Sequence, residues 1–425
     1  MTFLQFFNEA VSGESALFSE FRRQQCEQME MHQKCRVTVS KVADYEPETL
    51  KSALVALLEP LGGMKAFVSK GERVLLKPNM LSAKNPSSAV TTHPAIVKAV
   101  ADMALAEGCM VMIGDSPGTG SFQRVAEISG IAAAARESGC ALVPFDNVQE
   151  LHGDGIFKRI NLASTYMAAD KVINLPKLKT HEMMTMTCAV KNLFGAVTGK
   201  EKAVWHLKAG VSASHFARLL LEIYLAKKPA LNIVDAVVAM EGDGPGSGDP
   251  VNVGRLLAGE NPVAVDFVAA RLVGIPPERL HIEREAAEMG LSGSRIEDIE
   301  LLGIDEEIFS IRPFRLPEAS GPQFGIPRFL AGRFRRYLTP LPVPDKKSCT
   351  LCGICLDACP PGAISVKKEA IEIEAGLCIS CWCCRKLCPH SAMKVRKSLL
   401  LKCVEAFVRV KNQTSSSSCP SGISR

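Results

Sequence analysis

The apolar positions of this chain switch repeatedly between a period of two and a period near 3.6. RVTVSKV, from Arg36, is β-branched and alternating, and predicts the first strand. Residues 47–61 follow a helical spacing, with Pro47 in the first turn and Gly62-Gly63 closing the run. ERVLLKPNM is a short apolar strand that runs into a polar loop. Thr92 is the predicted N-cap of the next helix, with Pro94 in its first turn; Ile96, Val97, Val100, Met103 and Ala104 line one face, and Gly108 stops it. CMVMIGDSPGTG is again a strand, opening into a glycine-rich loop. A helix to Gly139 and the strand CALVPFD follow. A helical turn near residue 165 precedes KVINLPKLKTH, a buried-looking strand with a polar end. After a helix near 212–226 come LNIVDAVVAMEGDGPGSGDP, a strand and a long glycine loop, and VGRLLAGENPVAVDFVAARLVG, a strand, a turn and a helix. Strands alternating with helices imply an α/β fold: a largely parallel sheet with helices on both faces.

This pattern spans residues 35–309, read as one α/β domain. Residues 1–34 lack a strand or helix period and read as a disordered leader, with a true start near Met29 or Met31. Residues 310–345 are rich in proline and arginine and read as a linker; their RFLAGRFRRYL is a short basic helix that is solvated or docks on the protein. Residues 398–411, around SLLLKCVEAFVRV, predict a short apolar helix, and 412–425 a disordered tail by composition.

Residues 346–397 break the pattern altogether. Cys349, Cys352, Cys355 and Cys359 follow C-x2-C-x2-C-x3-C-P, and Cys378, Cys381, Cys384 and Cys388, with Pro389, repeat it. This is the spacing of a two-cluster [4Fe–4S] ferredoxin, a small α+β domain. Soft thiolate donors suit iron–sulfur iron, and two-residue gaps let one loop reach three corners of a cube. The fourth cysteine lies beyond the loop and reaches the other cube. Cluster 1 is therefore expected on Cys349, Cys352, Cys355 and Cys388, and cluster 2 on Cys378, Cys381, Cys384 and Cys359. Cys383 breaks both gaps and reads as a non-ligand. Zinc knuckles and disulfides are the competing uses of such cysteines, but neither needs a third and fourth cysteine followed by proline, twice.

Composition changes the picture only in places. The chain has 425 residues, 47% hydrophobic and 22% charged, with a net charge of +5. That charge is too mild to indicate nucleic acid. No run approaches the length of a membrane span, and the N-terminus lacks the pattern of a secretory signal. The cysteines outside the two runs have no framework spacing, and iron–sulfur thiolates need reducing conditions, so the expected location is cytoplasmic.

Ligands of parallel α/β sheets bind where the strands end at their carboxyl edge. Here those ends carry Lys77 and Asn79, Asp115, the group Lys177, Lys179 and His181, then Lys191 and Asn192, and Glu241. Lysines grouped at one edge repel each other unless an anion lies among them. Singly each residue has a plainer use: solvated lysines, a turn-capping His181, an Asx-turn at Asp115, a Glu241 that holds a glycine loop open. Asp115, His181, Glu241 and Asp266 also form a conceivable metal set. There is no Walker A, no G-x-S-x-G and no H-E-x-x-H, and Pro245 argues against a dinucleotide fingerprint in GDGPGSG.

The phrases LLKPNML, TTHP, IGDSPG, NLPKLKTH, AVKNLFG, DAVVAMEGDGP and NPVAVD, in that order, resemble the family known as domain of unknown function 362. The resemblance covers residues 36–305, and members often carry a two-cluster ferredoxin module at the C-terminus, as at 346–395 here. It implies an iron–sulfur protein without a settled reaction. The residues point first to a redox enzyme. In that reading, Lys77, Lys177, Lys179 and Lys191 neutralise an anionic small-molecule substrate, with Asn79, Asn192 and Glu241 beside them. His181 or Asp115 donates the proton that accompanies electrons. Electrons come from a redox partner protein or a small-molecule donor. An electron-transfer or assembly protein without its own catalysis, and a metal-dependent hydrolase or ligase with a redox-sensing tail, are the alternatives.

Overall fold

The computed structural model describes residues 34–152, 159–198, 213–303, 311–317, 341–359, 362–367, 369–375, 377–378 and 383–396, with Phe157, Lys202, Trp205 and Phe309 besides. The leader, the basic run RFLAGRFRRYL, Cys381, the side chain of Cys383, the apolar run at 398–410 and the tail lie outside the described residues.

In chain order the first half contains β1 (Cys35–Lys41), α1 (Pro47–Leu58), β2 (Arg73–Pro78), α2 (Pro94–Ala106), β3 (Met110–Ile113), α3 (Phe122–Ile128), α4 (Ile131–Glu137) and β4 (Ala141–Leu142). A hairpin of β5 (Val148–His152) and β6 (Arg159–Ala163) follows, then α5 (Ser164–Ala168), β7 (Lys171–Leu175), β8 (Lys177–His181), β9 (Thr185–Thr187) and α6 (Ala189–Asn192). The domain continues with α7 (Ala213–Ala226), β10 (Leu231–Glu241), β11 (Asp249–Gly259), α8 (Pro262–Leu272), α9 (His281–Glu288) and β12 (Ile299–Leu302).

Ten of these strands form one sheet in the order β12-β1-β11-β10-β7-β2-β3-β4, with β8 paired to β10 and β9 to β8. β2, β3, β4, β7, β8 and β10 run parallel, so their carboxyl ends share one edge. β11 is antiparallel to both β10 and β1. The sheet is mixed but mostly parallel, an α/β architecture with helices on both faces. Side chains alternate between the faces, as strand geometry requires. Val74, Leu76 and Ile233 pack with α1 and α2, whereas Leu75 packs with α7 and Val234 with α8.

Local chemistry explains two details. The first turn of α2 is capped by the His93 ring, whose Nδ1 accepts from Ala95 N. Thr92, the expected cap, is drawn inward instead: its hydroxyl donates to Leu175 O at 2.6 Å and accepts from Asn79 N at 2.8 Å. Pro176, which has no N–H, separates β7 from β8. The ladder of β8 onto β10 shifts further on, between Lys177 and Lys179, which face Asp235 and Met240, and Asp235 N donates to Pro176 O.

Residues 311–317 run back onto the α/β domain, where Phe314 is buried. The C-terminal module pairs β13 (Leu341–Pro344) with β16 (Met393–Arg396), and β14 (Ile364–Lys367) with β15 (Ala370–Ile373), all antiparallel. The stretch read as linker thus supplies the module's first strand. Two one-turn helices, α10 (Ile354–Asp357) and α11 (Cys383–Lys386), complete it. The module rests on the carboxyl edge of the sheet. Arg385 pairs with Glu182 at 3.0 Å and with Asp243 at 2.7 Å, Lys84 Nζ donates to Pro389 O, and the Ser391 and Ser247 hydroxyls meet at 2.9 Å.

Candidate functional site

The carboxyl edge and the module enclose a cavity of about 540 Å³. Its polar wall includes Asn79, Asp115, Lys179, His181, Lys191, Asn192 and Lys202; Met80, Leu81, Phe194 and Pro245 supply apolar surface. The module closes it with Ile354, Asp357, Ala358 and Leu387. Six of the nine site residues expected in the α/β domain therefore meet here. The parallel direction of β2, β3 and β8 is what brings them together, because each chain leaves its strand at the same edge.

Beneath the floor, Lys77 and Asp115 form an ion pair at 2.8 Å, and Lys77 is fully buried. Asp115 also accepts from Met80 N. Burial pulls the Lys77 ammonium below its usual range, against the opposing pull of Asp115. Gly195 roofs the pair: a Cβ there would overlap both Asp115 Oδ1 and Lys77 Nζ. Only glycine lets the backbone come this close.

Lys179 is 1% exposed and donates to Asn79 Oδ1 at 2.9 Å and Val90 O at 2.6 Å. Both acceptors are neutral. Burial, then Lys191 and Lys177, push its ammonium well below the ordinary lysine range. Asn79 passes the polarity on, donating to Asn192, which in turn donates to Asn174; Asn174 donates to Asn232. Four amides thus connect the cavity to the middle of the sheet, each with a partner, as buried amides require. His181 Nδ1 accepts from Met183 N and Met184 N, which leaves the ring proton on Nε2 in the neutral form. Lys191 lies over the Phe194 and Phe216 rings, at 5.8 and 5.6 Å. Lys202 donates to the Ser116 and Pro117 carbonyls, and burial lowers its pKa to about 7.

Lys177 and Glu241 are not among the cavity's lining residues. Lys177 is fully buried against Asp235 at 2.8 Å and the Tyr45 hydroxyl at 3.0 Å. Tyr45 also donates to Asp235 and stacks on His93 at 3.6 Å. Glu241 is held by Arg312 and Arg315, whose guanidinium groups keep its carboxyl down at about 2. Asp266 accepts from Ala189 N and Val190 N at the start of α6, and burial raises both it and nearby Glu283. Among the described residues, no three His, Cys, Asp or Glu side chains converge closely enough to hold a single metal ion. The sequence reading passed over Lys202, which lies beyond any strand end. It also missed Tyr45 and His93, and the module residues Ile354 and Leu387. Asn174 and Asn232 left a signal: an amide inside an apolar strand demands a partner.

In the module, Cys349, Cys352, Cys355 and Cys388 line one small cavity together with Ile354 and Ile371. The first three come from one loop and the fourth from the second motif. The donor chemistry fits an iron–sulfur cube: four sulfurs around an apolar space, and N–H···S bonds from Ala363 to Cys359 and Ala392 to Cys388, each 3.2 Å. These two bonds occupy equivalent places in the repeated motif. Cys378 and Cys384 are described; Cys381, the remaining ligand expected for cluster 2, is not.

Comparison with known proteins adds the following. Residues 74–271 match the model of domain of unknown function DUF362, and residues 342–365 that of a 4Fe-4S binding domain. A thylakoid-associated protein of Synechocystis sp. is 39% identical over 302 residues, which is 71% of this chain and 94% of that protein. The chain belongs to the DUF362 family. It carries the family domain followed by a ferredoxin-type iron–sulfur domain at the C-terminus. Among solved structures, the lactate racemase apoprotein of Thermoanaerobacterium thermosaccharolyticum aligns with a TM-score of 0.39 and 11% identity, over 58% of each chain. A Thermotoga maritima protein aligns at 0.34 and 14% identity, over 59% of this chain and 61% of its own. The chain thus spans less than two thirds of either structure. No helix among the described residues is long and apolar enough to cross a membrane.

Proposed function

We propose that this DUF362 member is an iron–sulfur oxidoreductase that holds two [4Fe–4S] clusters in its C-terminal module and an anionic small molecule in the edge cavity. The observation that carries this reading is Ile354. This residue lines both the cavity bounded by Cys349, Cys352, Cys355 and Cys388 and the cavity at the sheet edge. The ligand set expected for cluster 1 and the ligand space thus adjoin at Ile354. When bound, the clusters would supply single electrons.

The chain's own residues do the rest. Lys191 and Lys202 offset negative charge, and Asn79 and Asn192 orient it. His181, with its proton on Nε2, is the proton donor that reduction of an organic group requires. Asp115 has a different part: paired with Lys77 beneath the floor, it fixes the loop at Met80. Arg385 holds the module onto the edge through Glu182 and Asp243. The apolar surface from Met80, Leu81 and Phe194 favours a ligand with an organic body over a bare inorganic ion.

The test is anaerobic. Protein reduced with dithionite is mixed with organic carboxylates and phosphates, and cluster absorbance is followed. A ligand that binds the cavity should speed reoxidation, and Lys191→Met should raise the concentration needed by about tenfold to a hundredfold, the worth of one charge-assisted hydrogen bond. Reoxidation at one rate whatever anion is bound would return the α/β domain to a role in binding alone.

A further inference from the structure

We propose that Lys179 acts as a neutral amine, a nucleophile toward the carbonyl carbon of an anionic aldehyde or keto acid bound in the edge cavity. The inference rests on the ligand site proposed above and names its substrate class. Three observations carry it. Lys179 lines the cavity while being 1% exposed, so it borders the ligand space and meets little bulk water. Its two hydrogen-bond acceptors, Asn79 Oδ1 and Val90 O, are uncharged. Lys191 and Lys177 both act on it as like charges, ahead of the opposing pull of the Asp115 carboxylate.

An ammonium needs three acceptors and a counter-charge to be comfortable out of water. A neutral amine has two N–H bonds, and the structure offers two carbonyl acceptors. The nitrogen then keeps a lone pair with no partner among the described residues. The contrast with its neighbours is sharp. Lys77 faces Asp115 and Lys177 faces Asp235, each at 2.8 Å, so each has a carboxylate to hold its charge. Lys179 has no carboxylate within ion-pair distance among the described residues, and Asp115 acts on it only from farther away. A lysine desolvated and placed beside other cations is the arrangement that turns an amine into a nucleophile.

The step balances within the ligand and the amine. The Nζ lone pair forms the C–N bond, the carbonyl π electrons move to oxygen, and one proton moves from nitrogen to that oxygen. Loss of water leaves the imine. Lys191 and Lys202, on the same wall, take the anionic group of the ligand.

The probe is glyoxylate, an aldehyde carrying a carboxylate, with sodium cyanoborohydride to reduce the imine to a carboxymethyl-lysine that peptide mass spectrometry locates. Free Nα-acetyl-lysine, added as the internal reference, has a small fraction of free amine, which grows about tenfold per pH unit between about pH 7 and 9. Lys179, as a neutral amine, should label with little dependence on pH. The ratio of label at Lys179 to label on the reference should therefore be largest at neutral pH and fall about tenfold for each unit of rise. Competition by acetate, which has the anion without the carbonyl, should lower it. Absence of label on Lys179, label on Lys202 in its place, or a Lys179 profile that climbs in step with the reference amine would each overturn the proposal. Reoxidation of reduced clusters by carbonyl-free anions does not involve this amine, so that experiment stands or fails separately.

Discussion

Replacing Lys177 by methionine tests whether the lysines of this sheet edge act alike. Lys177 and Asp235 are both fully buried and 2.8 Å apart. At an effective dielectric of about 20, charges at that distance attract by about 6 kcal/mol. Removing each ion from water costs several kcal/mol, so the intact pair is nearly neutral for stability. Lys177→Met removes only one side. Asp235 then keeps Tyr45 Oη–H and His93 N–H as donors, at 2.8 and 2.9 Å, but has no counter-charge. The expected loss is about 3–5 kcal/mol. For a domain of this size that lowers the melting temperature by about 6–20 °C. Far-ultraviolet circular dichroism during heating reads it directly. Adding Asp235→Asn should recover part of the loss, since an amide oxygen at the Oδ2 position still accepts from His93 N, while the amide NH2 at the other position donates to the Tyr45 hydroxyl oxygen, with no cation needed; the coupling should fall within about 0.5–3 kcal/mol. If Lys177→Met melts like the parent while anions bind the cavity more weakly, the lysine serves the ligand and the reasoning is wrong.

Cys388→Ser should lose the cluster held with Cys349, Cys352 and Cys355 and keep the other, halving a full content of about eight irons, whereas Cys383→Ser should leave anaerobic iron analysis unchanged. Glu241→Gln removes the clamp on Arg312 and Arg315. Because the folded carboxyl lies at about 2, below its ordinary 4.5, its stabilisation is complete above about pH 4.5 and fades as pH falls toward 2. Acid titration of the variant should be flatter than the parent in that window, and an unchanged curve would remove Glu241 from the account. Arg385→Glu sets a carboxylate against Glu182 and Asp243 and should raise hydrogen exchange across residues 353–358 and 383–391 without loss of iron; protection equal to the parent's would mean that other contacts hold the module.

The parallel edge was legible because it rests on local signals. Each strand end at Lys77, Asp115 and His181 follows an apolar run and opens into a loop, and a βα order makes those ends coincide. The iron–sulfur domain was legible for a similar reason: the two-residue gap and the following proline are properties of a loop, not of the tertiary fold. Lys177 and Lys179 mark where this kind of reading stops. They sit two apart on β8, so period two puts them on one face, and nothing nearby in sequence tells them apart. What separates them is distant. Asp235 arrives from β10 and Tyr45 from the loop after β1, and together they neutralise Lys177. Lys179 finds only Asn79 and the Val90 carbonyl.

The same logic applies to the meeting of the two modules. Ile354 reads in the sequence as one more apolar residue within a cysteine loop, and Arg385 as one more cation beside a cysteine pair. Each acquires meaning only from Glu182 and Asp243 on the far side of the interface and from the cavity that Ile354 shares. Glu182 is nearly buried beneath Arg385, so parting the modules would leave its carboxylate without this cation. The contact is thus selective for a closed arrangement, in which Ile354 borders both the edge cavity and the cavity of Cys349, Cys352, Cys355 and Cys388. An electron carrier merely tethered to a binding domain would not need that buried acid, nor a glycine at Gly195 to bring the backbone down onto Lys77 and Asp115. Both features restrict the position of the cavity floor and roof together, which is what a reaction between a held molecule and a held cluster would demand.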